Sequence, residues 1–178
     1  MGPKLLAGLA AAALAAQSTA AAAQQPACIA EDEVAAVAVY AVPSLIQGVR
    51  LRCAGELSPN GYLATRGNAL SARYAALQNA VWPKARSGLT KILASKDPEA
   101  RQNAEMISRL PDNAVRPLVD ALIIQETSPK VAAGDCWKVE RVIEAVAPID
   151  PEIAGTLIGT VVGVVQPDKM PMCRPVNR

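Results

Sequence analysis

The four cysteines of this 178-residue chain, Cys28, Cys53, Cys136 and Cys173, constrain its fold more than any other feature. None belongs to a C-x-x-C pair, and the chain contains no histidine. Structural zinc sites usually show closely spaced ligand pairs, so we interpret the cysteines as two disulfides and predict no metal and no other cofactor. Disulfides persist in oxidising compartments, and the cysteines therefore predict a periplasmic or secreted protein.

The N-terminal residues have the layout of a secretory signal peptide. A basic start at Met1–Lys4 precedes the uninterrupted apolar stretch Leu5–Ala16, and the small residues Ala20–Ala23 offer a cleavage site. The apolar stretch is shorter than the about 20 residues that a membrane-spanning helix needs. A lipoprotein is the alternative, but Gln25-Pro26-Ala27 ahead of Cys28 lacks the Leu-small-small pattern of a lipid-accepting cysteine.

These observations define the domain organisation. We predict a cleavable signal peptide over residues 1–23 and a single domain over residues 24–178, with no transmembrane helix in the mature chain. A chain of this length can bury a sizeable core. Its net charge of only +2 gives no indication of a nucleic-acid partner.

Composition predicts an all-α fold. The chain is 51% hydrophobic yet has no Phe, and its core must be built from Ala, Leu, Val and Ile. Alanine is the best helix former, whereas strands are enriched in β-branched and aromatic residues. No segment alternates with period two. We therefore expect a compact bundle of about six to eight helices stapled by two disulfides.

Local signals place the helices. Asp97-Pro98-Glu99 and Asp150-Pro151-Glu152 both combine an Asp cap, a proline at the first helical position and an acid in the first turn. Proline removes a backbone donor, so Pro43 is expected to interrupt one helical segment and Pro83 to kink or split another. The predicted helices span residues 31–41, 44–52, 69–94, 98–110, 111–126, 134–146 and 153–165.

The disulfide pairing depends on what happens at Pro43. Four cysteines allow three connectivities, and we favour Cys28–Cys53 with Cys136–Cys173, because each pair would bracket two consecutive helices. The first bridge requires the chain to reverse near Pro43. If residues 31–52 instead form one helix, its ends lie about 30 Å apart and a cross-pairing must hold.

A set of short segments marks the mature chain: Cys28-Ile-Ala-Glu-Asp-Glu, Val42-Pro43-Ser44 followed by Cys53, Ala72-Arg73-Tyr74, Trp82-Pro83-Lys84-Ala85, and a late Ala147-Pro148 turn before the final Cys173. This pattern resembles, nearly end to end, a group of small secreted helical proteins of sphingomonad-type Alphaproteobacteria. The shared motifs are structural. The resemblance implies the compartment and an intact domain, and it implies no activity and no catalytic residue.

Charge is segregated along the chain and suggests a candidate binding surface. Residues 50–96 carry a net charge of +7, whereas residues 97–168 carry −6. On one continuous helix Arg73, Lys84 and Lys91 would share a side, next to an apolar stripe that starts at Leu70. Such a ridge could bind an anionic envelope component, for example lipid phosphates or cell-wall carboxylates. Alternatively, these side chains pair with the acidic half of the same domain.

Gly155, Gly159 and Gly163 lie four residues apart on one face of a predicted helix. Glycines at this spacing let another helix backbone approach closely. The surrounding apolar run is short and is bounded by charged residues, which favours a close-packed helix in the domain core. A membrane or oligomer contact is the alternative.

The carboxylates are the remaining candidates for chemistry. The absence of histidine excludes hydrolysis by Ser-His or Cys-His groups, and disulfide-bonded cysteines cannot act as nucleophiles. Glu31, Asp97, Asp112, Asp135 and Asp150 are all explained as helix caps or first-turn acids, so we assign no catalytic residue. We predict a non-enzymatic protein with a binding or envelope-associated role. The alternative is a carboxylate-dependent hydrolase acting on envelope polysaccharide.

Overall fold

The structure, a computed structural model, describes residues 28–168 and 170–174. These residues form eight α-helices and confirm the predicted all-α fold with two disulfides. The predicted signal peptide, residues 1–23, lies outside the described residues. The helices are α1 (Glu31–Arg52), α2 (Tyr62–Thr65), α3 (Gly67–Ala75), α4 (Gln78–Ala94), α5 (Pro98–Ser108), α6 (Asp112–Thr127), α7 (Cys136–Val146) and α8 (Pro151–Val165).

Helix α1 is the centre of the molecule and packs against α3, α4, α6 and α8. One side of it contributes Val39 and Val49 to a core cluster that also contains Leu63 and the buried Cys53–Cys136 bridge. The other side contributes Tyr40 to a second cluster around Trp82, with the two ring centroids 4.8 Å apart. The domain is therefore built around one helix with a core on each side.

Helix α1 also has the length and mean hydropathy (1.6) of a membrane-spanning helix, and half of that stretch is buried inside the domain. A core helix of a folded domain has the same two properties, so they do not identify a span. The chain from Ala133 to Val146 would satisfy the same criteria only together with α8. The two segments meet at 112° and do not form one rod.

The favoured disulfide pairing is wrong, because α1 continues through Pro43 as a single 22-residue helix. At 1.5 Å per residue its ends lie about 33 Å apart, which no disulfide can bridge. The structure instead joins Cys28 to Cys173, with Cα atoms 4.8 Å apart, and Cys53 to Cys136, with Cα atoms 5.7 Å apart. This is one of the two cross-pairings that an unbroken helix leaves open.

Side chains from elsewhere in the fold support the backbone around Pro43. The Gln78 amide nitrogen donates to the Tyr40 carbonyl oxygen at 2.9 Å, in the turn that precedes the proline. The Ser44 hydroxyl donates to Asp120 on α6 at 3.1 Å. These contacts, with burial on both sides of the helix, offset the roughly 3 kcal/mol that an internal proline costs. These contacts come from residues far along the chain, so the sequence around Pro43 does not reveal them.

The predicted helix over residues 69–94 is two helices, and the break is not at Pro83. Helix α3 ends at Ala75, where the Leu77 amide donates to the Tyr74 carbonyl in a tighter i→i−3 bond of 3.0 Å. Helix α4 then runs uninterrupted through Pro83. Tertiary packing thus outweighs local proline chemistry at Pro43, and also at Pro83, where the neighbouring Trp82 and Ala85 are buried.

Both predicted aspartate caps are confirmed. Asp97 accepts a hydrogen bond from the Ala100 amide at 2.7 Å at the start of α5. Asp150 accepts from the Glu152 and Ile153 amides at 2.9 and 3.3 Å at the start of α8. Each carboxylate satisfies backbone donors that the first turn of a helix leaves unpaired.

Candidate functional site: an apolar cavity beside α8

Helix α8 lies against α1 through its three glycines. A Cβ on Gly155 would come within 2.9 Å of the Ala35 carbonyl oxygen, and one on Gly159 would overlap the Glu31 carbonyl oxygen. As residue numbers rise along α8 they fall along α1, so the two helices run antiparallel. The glycine stripe therefore serves close packing within the domain.

The other faces of α8 are exposed, so α8 is not the buried core helix that we expected. The glycines are buried, whereas the large aliphatic side chains that surround them on the helix point away from α1. Each of these side chains is about half exposed or more, from 45% for Ile158 to 77% for Val164; the set is Ile153, Leu157, Ile158, Val161, Val164 and Val165. Soluble monomeric proteins rarely expose a contiguous apolar patch of this size.

An apolar cavity of about 260 Å³ opens between α1, α3, α7 and α8. Its floor includes the buried Val49, Leu70 and Tyr74 of the main core, and its rim includes the exposed Val146 and Leu157. Tyr74 is the one lining residue, among those described, that is not aliphatic. The full lining is Val42, Leu45, Ile46, Val49, Leu70, Tyr74, Ile143, Val146, Ala147, Ile149, Ala154, Leu157 and Ile158.

Arg73 fixes one wall of this cavity. Its guanidinium donates to the carbonyl oxygens of Ala147 at 2.8 Å and Ile149 at 3.3 Å, in the turn between α7 and α8. The adjacent Tyr74 is 7% exposed, and burial raises the pKa of its hydroxyl, with Arg73 opposing and Asp150 reinforcing the shift. The phenol therefore stays neutral at physiological pH. None of the described side chains that line the cavity carries a charge.

The three residues of the candidate anion-binding ridge do not lie on one continuous helix, since Arg73 is on α3 and the two lysines are on α4. Lys84 pairs with Asp32 at 2.9 Å on the protein surface. Lys91 pairs with the carboxylate of Glu33 at 2.6 Å. Each cation therefore contacts acceptors of its own domain. The partners of the two lysines belong to α1, however, and not to the acidic residues 97–168 that the alternative interpretation names. Binding of an anionic component stays a prediction without support from these contacts.

Glu33 is the most enclosed carboxylate of these pairs. Besides Lys91, it accepts from the Ser87 hydroxyl at 2.6 Å and from the Ala30 amide at 2.9 Å, which also caps α1. Burial opposes its ionisation, but the hydrogen bonds from Lys91, Ser87 and Ala30 outweigh burial and hold its pKa below the usual value. With every oxygen occupied inside the domain, Glu33 is structural.

A second, polar pocket of about 610 Å³ lies beside Pro43. Its polar groups bind one another: Arg50 contacts Asn68, and Ser44 donates to Asp120. Asp120 is the one carboxylate among the described residues that line it, whereas glycoside hydrolysis takes two carboxylates about 5 to 10 Å apart. The pocket therefore gives no support to the hydrolase alternative.

The described residues contain no group of three or more Cys, Asp or Glu side chains placed to hold a metal ion. Comparisons with protein-family models, with curated protein sequences and with solved structures find no match to this chain. The geometry of the cavity and of α8 is consequently the basis for inferring a function.

Sequence reasoning missed this cavity, although one signal for it was present. The glycine stripe of α8 accounts for a single packed face, and the remaining Ile, Leu and Val residues of the run have no predicted partner helix. When the packed face of a short apolar helix consists of glycines, its large side chains lie on the other faces. They are then exposed unless a second helix covers them. The walls from α3 and α7 depend on tertiary arrangement and could not be found this way.

Proposed function

We propose that this protein is a non-enzymatic binding protein of the periplasm or the extracellular space, and that it holds the hydrocarbon chain of an envelope amphiphile in the cavity between α1, α3, α7 and α8. The observation that carries the proposal is the 260 Å³ cavity with an aliphatic lining and an exposed rim. Small-molecule sites are typically concave and apolar, with few polar groups that fix orientation.

The chemistry of the lining favours an alkyl chain over a polar ligand. A buried water needs two to four polar partners, and the lining side chains offer only the Tyr74 hydroxyl. An alkyl chain needs no such partners, and its transfer out of water is favourable by about 0.8 kcal/mol per buried CH₂. The proposed periplasmic location is compatible with the same class of ligand, because the periplasm is an oxidising compartment bounded by lipid membranes.

Fluorescence titration with cis-parinaric acid, a fluorescent fatty acid, tests the proposal. We expect saturable binding by the wild type and at least tenfold weaker binding by Ala154→Phe, whose ring would occupy the cavity. The matched control is Ala145→Phe, because Ala145 is exposed on α7 and does not line the cavity. It should bind like the wild type.

A second variant is needed because Ala154→Phe could lose binding by misfolding. Val146→Glu places a charge at the exposed rim, where it can remain hydrated without disturbing the core, and it should also weaken binding. Circular dichroism verifies that each variant is folded. Equal affinity of the wild type, Ala154→Phe and Val146→Glu, all folded, contradicts the proposal.

A further inference from the structure

We propose that the exposed face of α8 is the contact surface for a second copy of this chain, so that the protein forms a symmetric dimer through α8. The proposal does not depend on ligand binding in the cavity. It rests on the side-chain pattern of α8, the apolar area that it exposes and the absence of charge on it.

The side chains opposite the glycine stripe have the spacing of a helix-pairing seam. At about 100° per residue, Ile153, Leu157 and Val164 fall within about 40° of one another, with Val161 beside them. Their separations of four and seven residues are those of neighbouring positions in a coiled-coil seam, where side chains of one helix insert between those of the partner. Exposure of 63%, 56% and 77% leaves these three side chains free for such packing.

The exposed apolar area of α8 is the larger part of what a dimer interface requires. Burying a Val, Leu or Ile side chain completely stabilises by about 1.5–3 kcal/mol. At about 25 cal/mol per Å², each such side chain therefore has roughly 60–120 Å² of apolar surface. The six exposed aliphatic side chains of α8 then present roughly 300 Å². A standard interface buries about 800 Å² per partner, somewhat over half of it apolar.

Charge distribution favours a second copy over a lipid surface. The sequence of α8 contains a single charged residue, Glu152, at its N-terminal end. Two such faces can meet without burying a charge, which would otherwise cost several kcal/mol. Helices that lie on anionic membranes carry Lys or Arg on the polar face, and α8 has neither. An antiparallel pair also places the positive end of each helix dipole next to the negative end of the other.

Sedimentation equilibrium of the purified protein tests the proposal. We expect a reversible dimer whose dissociation constant rises at least tenfold in Val164→Glu, because the new carboxylate would be desolvated in the contact. Leu122→Glu is the matched control: Leu122 is 54% exposed on α6, away from α8, and its replacement should leave the dissociation constant unchanged. Val164 does not line the cavity, so Val164→Glu should still bind cis-parinaric acid.

Three results would overturn the proposal. The first is a wild type that stays monomeric at high micromolar concentration. The second is a dimer that Leu122→Glu weakens as much as Val164→Glu does. The third is a monomer that sediments with phosphatidylglycerol vesicles and loses that binding in Val164→Glu, which would assign the face to lipid. A wild type that dimerises but does not bind cis-parinaric acid would overturn the cavity proposal alone.

Discussion

Glu33 is the residue whose ionisation the fold depends on most clearly. Its carboxylate is buried and binds Lys91, Ser87 and the Ala30 amide. Glu33→Gln would keep the shape but remove the charge, leaving Lys91 without its counterion. We expect the free energy of unfolding to fall by about 2–3 kcal/mol, as measured by urea denaturation.

The neighbouring Asp32 provides the control for that substitution. Its pair with Lys84 has side chains that are 58% and 63% exposed. Exposed ion pairs contribute little, so Asp32→Asn should cost at most about 1 kcal/mol. If Glu33→Gln and Asp32→Asn lowered the free energy of unfolding equally, burial of the Glu33–Lys91 pair would not explain its contribution to stability.

The lowered pKa of Glu33 also predicts a pH dependence. A carboxylate whose pKa is lower in the folded state than in the unfolded chain stabilises the fold at pH values above its unfolded value of about 4.5. That contribution is lost as the pH falls through the folded pKa. The stability difference between wild type and Glu33→Gln should therefore be largest at neutral pH and shrink below about pH 4.5. A difference that stays constant down to pH 2, measured by urea denaturation, would contradict this assignment.

Among the elements, α8 depends on glycine for its position on α1. A methyl group at Gly159 would overlap the Glu31 carbonyl oxygen, which is backbone and cannot rotate away. Overpacking costs about 1–3 kcal/mol and occasionally more, whereas alanine gains about 1 kcal/mol in helix propensity. Because the clash is with backbone, the overpacking cost lies at the upper end of this range, and we expect Gly159→Ala to lower the unfolding free energy by about 2 kcal/mol. Gly134→Ala is the control, since nothing lies within 4 Å of a Cβ there, and it should change stability by less than about 1 kcal/mol. Equal stability of the two variants would contradict close packing at Gly159.

The same elements show what could be predicted from the sequence. The caps at Asp97 and Asp150 involve residues two or three positions apart, so local sequence was sufficient to place the starts of α5 and α8. Pro43 stays helical because of Gln78 and Asp120, which are 35 and 77 residues away and carry no local signal. The cavity likewise needs four helices in their final arrangement. Helix caps could therefore be predicted from local sequence, whereas contacts between residues far apart in the chain could not.

At the scale of the whole molecule, the continuity of α1 determines which cysteines can form disulfides with each other. The Cys28–Cys173 bridge joins the two ends of the described chain, and a parallel contact between Ile29 and Met172 continues it. The Cys53–Cys136 bridge ties the far end of α1 to the start of α7. Peptide mapping under non-reducing conditions should yield these two pairs. A Cys28–Cys53 peptide would mean that α1 is not continuous in solution.

The two bridges should differ in their contribution to stability, and packing should decide the difference. Their sequence separations are 145 and 83 residues, and in the chain-entropy model each bridge is worth about 5 kcal/mol, with only about 0.5 kcal/mol favouring the longer loop. Cys53 and Cys136 are 0% and 1% exposed in the main core, whereas Cys28 is exposed. Replacing both buried sulfurs by Ala removes packed atoms worth about 1 kcal/mol each. We therefore expect Cys53→Ala/Cys136→Ala to be about 1–2 kcal/mol less stable than Cys28→Ala/Cys173→Ala in urea denaturation, the opposite of the order that loop length predicts. The reverse order would mean that chain entropy, and not burial of the bridge, dominates.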